Sequence, residues 1–535
     1  MSRVIFTVIE GFIDRYLKFN KNNIEMLSRF QSMTFLGYAL GLIIAIQPSY
    51  IHPDEHFQTL EVLSQAIGGV KGTIPWEFQT NNAARSYVPL YLMYGPLYFI
   101  MFKLFHIQNP VIILSLVRLQ TYFAYIIVFR STFKRLCKSK RYDAIEFLVA
   151  TSYVTSSLQS HTFSNSVETM ILLGLLASYE KLISSRKQQS EGNYYLVSTV
   201  AAILIVIGTF NRMTFPAFIL LPSIRVFFKY YIRHFKSFMS FLFTIFITCL
   251  VFIQVDTCLF KSDTYVIAPW NNLQYNLDIS NLQMHGLHHR YTHLLINLPQ
   301  LLGPLLILIL TTLKYRKFRD LLQRLPSLSI ISALAILSFF PHQELRFLIP
   351  LLPLIFITFH DIHSKLWLRI WLSFNITLAI IMGCFHQSGI IRVIAHYQHQ
   401  DHLELGVHIW WKTYMPPTWM YLNENLTVST TKIVNTTEMV DFNNLQNVTH
   451  EHIIDLKGCD SSLLDLTLSQ ILDEIDEVTL IVPTSMRAKL FTLKSNYTVI
   501  EDFHTFAHLD LDHFDINDLT TFIPGISSYK VSKLI

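Results

Sequence analysis

Residues 35–55 read Phe35-Leu-Gly-Tyr-Ala-Leu-Gly-Leu-Ile-Ile-Ala-Ile-Gln-Pro-Ser-Tyr-Ile-His-Pro-Asp-Glu55. No charged side chain interrupts the run until its last two residues. About twenty predominantly apolar residues cross a bilayer as a helix, so 31–50 reads as a membrane span. The span delivers His52, Asp54 and Glu55 to a membrane face. Ionisable groups at that depth are costly unless they serve a site. Pro53 disfavours helix at His52 and suits the first turn of a helix starting there.

The same reading extends along the chain. Ten further candidate spans lie near 110–130, 143–161, 166–182, 194–210, 213–228, 237–256, 300–313, 327–341, 347–360 and 366–385. The composition agrees. Of 535 residues, 51% are apolar and only 15% charged, against about 25% charged in an ordinary soluble domain. Mean hydropathy is +0.36. These values exclude disorder, a secreted disulfide scaffold and a conventional cytosolic enzyme, and leave an α-helical polytopic membrane protein of about eleven spans. The cysteines Cys137, Cys249, Cys258, Cys384 and Cys459 have no metal-ligand spacing and read as neither a zinc site nor a disulfide framework. The net charge of +5 points to no nucleic-acid partner, because the bases sit in short clusters between apolar runs.

Those clusters set the orientation, since Lys and Arg in short loops mark the cytosolic side. They occur in the N-terminal arm, at 134–141, at Lys181/Arg186/Lys187, at Lys229/Arg233/Lys236 and at 314–319. The alternation is regular if the apolar stretch 88–107 lies in the membrane plane or re-enters rather than crossing. The expected organisation is a cytosolic arm at 1–30, a membrane bundle at 31–390 and a lumenal domain at 391–535. Two lumenal loops, at 51–109 and 257–299, belong to the bundle. The sequons at Asn425, Asn435, Asn447 and Asn496 fit a lumenal tail. Within the tail, Ser462–Ile471 reads as a helix and Val478–Pro483 as a buried strand, so a small mixed α/β domain is expected. Asp510-Leu-Asp512 reads as solvated surface.

In this topology the polar motifs gather at one membrane face. They are Tyr50–Gln58, Pro75-Trp-Glu-Phe78, Ala84-Arg-Ser-Tyr87, His161–Asn165, Asn211–Pro216, His285–His293, Pro341–Arg346 and Cys384–Gly389. Adjacent carboxylates on a helix point about 100° apart, so Asp54 and Glu55 take different roles. One suits a general base that deprotonates an acceptor hydroxyl. Arg212, Arg290, Arg346, His342 and His386 are available to hold a phosphate leaving group. Each has a plainer reading. Acids at a helix start complement its dipole, and arginines anchor helix ends at the interface. His289 and His293 would share a helix face, but no carboxylate motif lies between them, and interfacial hydrogen bonding outweighs metal binding.

His52-Pro-Asp-Glu55, Pro75-Trp-Glu-Phe78, Arg85-Ser-Tyr87, Phe163–Thr169 and Phe210-Asn-Arg-Met-Thr214, in that order, resemble the endoplasmic-reticulum mannosyltransferases that use dolichyl-phosphate mannose, glycosyltransferase family 22. His285-Gly-Leu-His288, Thr292-His293, Asn297-Leu-Pro299, Pro341-His-Gln-Glu344 and Lys412–Pro417 are most similar to the fungal branch acting late on the glycosylphosphatidylinositol (GPI) precursor. The resemblance implies a GT-C bundle with a catalytic first lumenal loop. It implies inverting transfer of an α-1,2-linked fourth mannose from dolichyl-phosphate mannose to the trimannosyl GPI precursor, in the endoplasmic-reticulum membrane. It makes Asp54 the base, with Glu55 second to it or at the acceptor. The substrate-binding candidates are His52, Arg85, Arg212, His285, His288, Arg290, His342, Glu344, Arg346 and His386. No metal or other cofactor is implied. Sister enzymes of the third GPI mannose or of the N-glycan precursor are the nearest alternatives. A lipid transporter or scramblase would show ionisable residues in mid-span and repeat symmetry, and the sequence shows no repeat.

Overall fold

Each expected span is helical over most of its length in the computed structural model of the chain. The structure describes residues 23–534 apart from 138–140, 185–190, 285, 316–317, 363, 399–405, 435–436, 441–450 and 492–496. Two units emerge. The first takes the described residues of Met1–Ala45, Trp76–Met93 and Arg118–Ala379, and the second those of Ile46–Pro75, Tyr94–Val117 and Ile380–Ile535.

The first unit is helical. Four helices reaching into it are long and apolar enough to cross a membrane alone: Pro110–Leu136, Tyr194–Asn211, Phe215–Arg233 and Phe235–Phe260. A fifth, Lys365–Phe385, ends in the second unit. His293–Leu302 and Leu305–Leu313 form a broken span bent by 115°. The bend is at Gly303, whose φ of +49° and 2.3 Å approach of a would-be Cβ to the Phe374 ring exclude any side chain. Other expected spans are shorter or interrupted. Tyr142–Thr151 gives way to a π-helical turn at Val154–Leu158, and the freed N–H of Tyr153 donates to Asn375 Oδ1 at 2.9 Å. Such irregular backbone survives at membrane depth because side chains re-satisfy it. Close helix packing rests on small residues. A Cβ on Gly37 would lie 2.7 Å from the Ala150 carbonyl oxygen. The stretch 88–107 holds two helices, Val88–Met93 and the ten-residue Gly95–Leu104, which turns π-helical at Ile100, and neither is long enough to cross alone.

The second unit carries a seven-stranded sheet. Its strands are β1 (Val407–Trp410), β2 (Thr427–Val434), β3 (Thr437–Val440), β4 (His452–Asp455), β5 (Glu477–Pro483), β6 (Tyr497–Thr505) and β7 (Ile526–Lys533), in the order β3-β2-β4-β1-β5-β7-β6. The four from β2 to β5 in that order are mutually parallel, and β3, β7 and β6 complete the sheet antiparallel. Parallel strands covered on both faces read as near-continuous apolar runs, and β5 does so from Val478 to Pro483 with Thr479 as its one polar residue. Ile409, Ile454, Leu480 and Val531 pack with Leu464 and Leu468 of helix Ser461–Ile471 to form its core.

Candidate active site

The helix that follows Pro53 belongs to the second unit and contains two π-helical segments, His56–Leu60 and Ser64–Gly68. Wide turns of this kind recur at functional sites. Its start is fixed locally, because His56 and Phe57 N–H both donate to the Pro53 carbonyl at 3.0 Å. Asp54 N–H donates to His52 Nδ1 at 3.2 Å, and Gln58 Nε2 donates to Asp54 Oδ2 at 2.5 Å. Asp54 keeps 21% of its side chain open, whereas Glu55 is buried 3.9 Å from His56 Nε2. Two adjacent carboxylates thus have opposite environments, as their angular separation requires.

Behind them sits a group the sequence reading passed over. Glu61 is fully buried and accepts from Thr73 N–H at 3.0 Å, Thr418 Oγ1 at 2.9 Å and Trp419 N–H at 3.1 Å. Burial pushes its carboxyl up to about 8 against these bonds. His56 Nδ1 accepts from Trp419 Nε1 at 3.2 Å, and Tyr50 Oη donates to the Met415 carbonyl at 2.9 Å. Lys412–Pro417, singled out as a motif, therefore docks against the first loop. His386 lies in the same unit, its carbonyl accepting from Tyr50 N–H at 3.0 Å. It is buried, and burial lowers its affinity for protons.

The first unit holds the arginines. Arg212 Nη1 donates to Ser164 Oγ at 2.9 Å and Asn165 Oδ1 at 3.4 Å, with Nε 3.5 Å from Glu168 Oε2. Arg85 shares Ser164 Oγ at 3.3 Å and pairs with Glu77 at 2.8 Å. The guanidinium carbons of Arg212 and Arg346 lie 4.9 and 5.6 Å from the Phe347 ring centre, within cation–π range. Arg346 Nε donates to Glu344, whose other oxygen is 2.8 Å from His342 Nε2. Burial alone would lower the His342 pKa, but the Glu344 carboxylate and the Gly286 carbonyl outweigh it and hold His342 above its ordinary value. Gln343 fixes this loop, accepting from His293 N–H at 2.8 Å and donating to the Phe340 carbonyl at 2.9 Å.

The named candidates therefore divide. His52, Asp54, Glu55 and His386 lie in one unit, and Arg85, Arg212, His288, Arg290, His342, Glu344 and Arg346 in the other. Arg85, Arg212 and Arg346 converge through Ser164 and Phe347. Arg290 is exposed and lies over Phe339 at 5.0 Å instead. His288 Nδ1 accepts from Gln343 N–H at 3.4 Å. Asn425 is exposed, while His285, Asn435, Asn447 and Asn496 lie outside the described residues. One expectation is corrected. Asp512 is exposed, but Asp510 is buried at 4% exposure, bonded to Ser485 Oγ and His513 Nδ1 at 2.7 Å each. Its environment is structural rather than solvated surface.

Two solved structures share this architecture. ArnT from Cupriavidus metallidurans bound to undecaprenyl phosphate aligns with a TM-score of 0.55 at 9% identity, covering 95% of this chain and 98% of that one. Its apo form aligns with a TM-score of 0.53 at 9% identity, covering 93% and 98%. The fold is that of a GT-C membrane glycosyltransferase. Residues 32–423 match the Alg9-like mannosyltransferase family, and the chain belongs to it. It is an enzyme that transfers mannose. Its relatives include GPI mannosyltransferase 4 of Saccharomyces cerevisiae, 44% identical over 95% of this chain and 100% of that one. GPI mannosyltransferase 4 of Candida glabrata is 44% identical over 92% and 98%, and that of Eremothecium gossypii 40% identical over 94% and 100%.

Proposed function

We propose that the chain adds the fourth mannose, in α-1,2 linkage and with inversion, to the trimannosyl GPI precursor, using dolichyl-phosphate mannose as donor. The observation that carries this reading is identity of 40–44% along nearly the full length of relatives bearing that one name. Asp54 is the base, because among Asp54, Glu55 and Glu61 only Asp54 is open to an incoming hydroxyl. It takes the acceptor hydroxyl proton as the oxygen bonds to the anomeric carbon. The bond from that carbon to the phosphate oxygen breaks, and its electron pair leaves with dolichyl phosphate. Arg212, Arg346 and His342 are assigned to the phosphate charge, since Arg forks match phosphate oxygens. The donor carries one phosphate, so this scheme needs no metal or other cofactor.

The enzyme acts in the endoplasmic-reticulum membrane, N-terminus cytosolic and C-terminus lumenal, with Asn425 on an exposed loop of the lumenal domain. The test is transfer from labelled dolichyl-phosphate mannose in microsomes, offering dimannosyl GPI, trimannosyl GPI and N-glycan precursors in parallel. Label on the trimannosyl lipid alone is expected. Label on either other acceptor in its place overturns the assignment.

A further inference from the structure

The second unit presents an apolar loop whose base is tied to the end of a membrane span. Helix Lys365–Phe385 is 21 residues long, about 31 Å of helix and so one hydrocarbon thickness. Phe385 therefore marks a membrane boundary. At that point Leu509 N–H donates to the Phe385 carbonyl at 2.8 Å, and Gln387 N–H returns to the Leu509 carbonyl at 3.2 Å. Gly389 N–H donates to His508 Nδ1 at 3.2 Å, adding a further tie. The chain then runs from Asp510 to Ile523 as a closed loop. Asp515 N–H donates to Thr521 Oγ1 at 2.9 Å, and the Phe514 and Phe522 rings stack at 4.6 Å.

At the tip, Ile516 is 85% and Leu519 76% exposed, with Leu511 and Ile523 also exposed behind them. Large apolar side chains clustered this way on a protein surface mark an interaction site. Several tip amides are satisfied within the loop, since Asn517 N–H bonds Asp515 Oδ1 at 2.9 Å and Thr520 N–H bonds Asp518 Oδ1 at 3.0 Å. This lowers the cost of leaving water. Charge argues about the kind of surface. Between Lys494 and Lys530 there is no Lys or Arg, while Asp510, Asp512, Asp515 and Asp518 fall within the loop.

We propose that the 510–523 loop inserts Ile516 and Leu519 into the membrane interface on the side where the 365–385 span ends, by apolar burial and without help from anionic lipid. The loop steadies the sheet domain against the bilayer on which its lipid substrates lie.

The experiment uses the full-length protein in phosphatidylcholine nanodiscs. Single cysteines at Ile516→Cys, Leu519→Cys and Asp476→Cys carry an environment-sensitive fluorophore, the native cysteines being replaced. Asp476 directly precedes β5, at the end away from Pro483, which pairs with Ile526. That places it about 20 Å along the strand from the loop base. Blue-shifted emission, and quenching by doxyl-labelled lipid, are expected at 516 and 519 but not at 476. Neither should strengthen when phosphatidylserine is added or weaken when salt is raised. A blue shift without lipid quenching means a protein covers the loop, and water-like emission means nothing does. Either result overturns the proposal. A benzophenone side chain at position 516 in the chain with native cysteines reads the same contact independently. A lipid adduct is expected, and a protein adduct or none overturns it.

Discussion

Glu61 accepts the main-chain N–H of Trp419 at 3.1 Å from a position two helical turns beyond Asp54. Thr73 and Thr418 donate to the same carboxyl, so one side chain fixes the helix that carries Asp54 onto the segment after Pro417. Each buried donor left without a partner costs about 1–3 kcal/mol. Glu61→Ala should therefore destabilise the protein by about 3 kcal/mol or more and lower kcat by loosening Asp54. Glu61→Gln keeps an acceptor oxygen and should retain both stability and kcat nearly intact. Thermal midpoints and a split of kcat from KM in microsomal transfer distinguish the two variants. Equal loss in both would show that Glu61 acts through its charge rather than by positioning.

The same carboxyl gives a pH signature. Burial raises it from an ordinary value near 4.5 to about 8. The folded protein then binds more protons than the unfolded chain across that window. Stability from this group is fully present below about 4.5 and is lost as pH rises through about 8. In a purified preparation the thermal midpoint of the wild type should fall across this window more steeply than that of Glu61→Gln. Parallel curves would mean that Glu61 is ionised in the fold.

The membrane class and the Asp54 loop were legible because apolar runs of span length and a carboxylate after Pro53 are local signals. The partners of Glu61 were not, since Trp419 lies 358 residues along the chain and no spacing rule reaches that far. A hint existed, as Glu61 stands alone as a charge in the run from Gln58 to Leu63. β5 was readable as an apolar strand. β1 and β4 were not, because their four-residue runs include His408, His452 and Asp455, whose burial follows only from parallel pairing. Arg290 and Arg346 look alike in sequence. Only packing separates them, by laying one over Phe339 and the other beside Phe347.

Asp54→Asn should lower transfer by roughly 10²–10⁴-fold, the usual contribution of a general base. The side chain is partly exposed, and an amide can still accept from Gln58 Nε2. The thermal midpoint should therefore move little. Glu55→Gln, fully buried, should show the reverse balance, with stability changed more than the chemical step. Single-turnover transfer with saturating donor separates these effects. Full activity in Asp54→Asn would remove it as the base and return attention to Glu55.

Arg212 offers a test that separates packing from donor binding. It is buried, 3.5 Å from Glu168, and hydrogen-bonded to Ser164 and Asn165. Arg212→Ala leaves the Glu168 carboxyl buried without this partner, and breaking a buried pair from one side costs about 3–5 kcal/mol. Arg212→Lys keeps the charge but loses the planar fork and its place over Phe347, so it should rescue poorly. In Arg212→Ala with Glu168→Gln the stranded charge is gone, and much of the stability should return. Transfer should not return with it. If Arg212 holds the donor phosphate, the KM for dolichyl-phosphate mannose stays raised by about tenfold or more, equivalent to about 1.4 kcal/mol. Recovery of both stability and donor KM in the double variant would confine Arg212 to the packing of the Ser164–Ile183 helix.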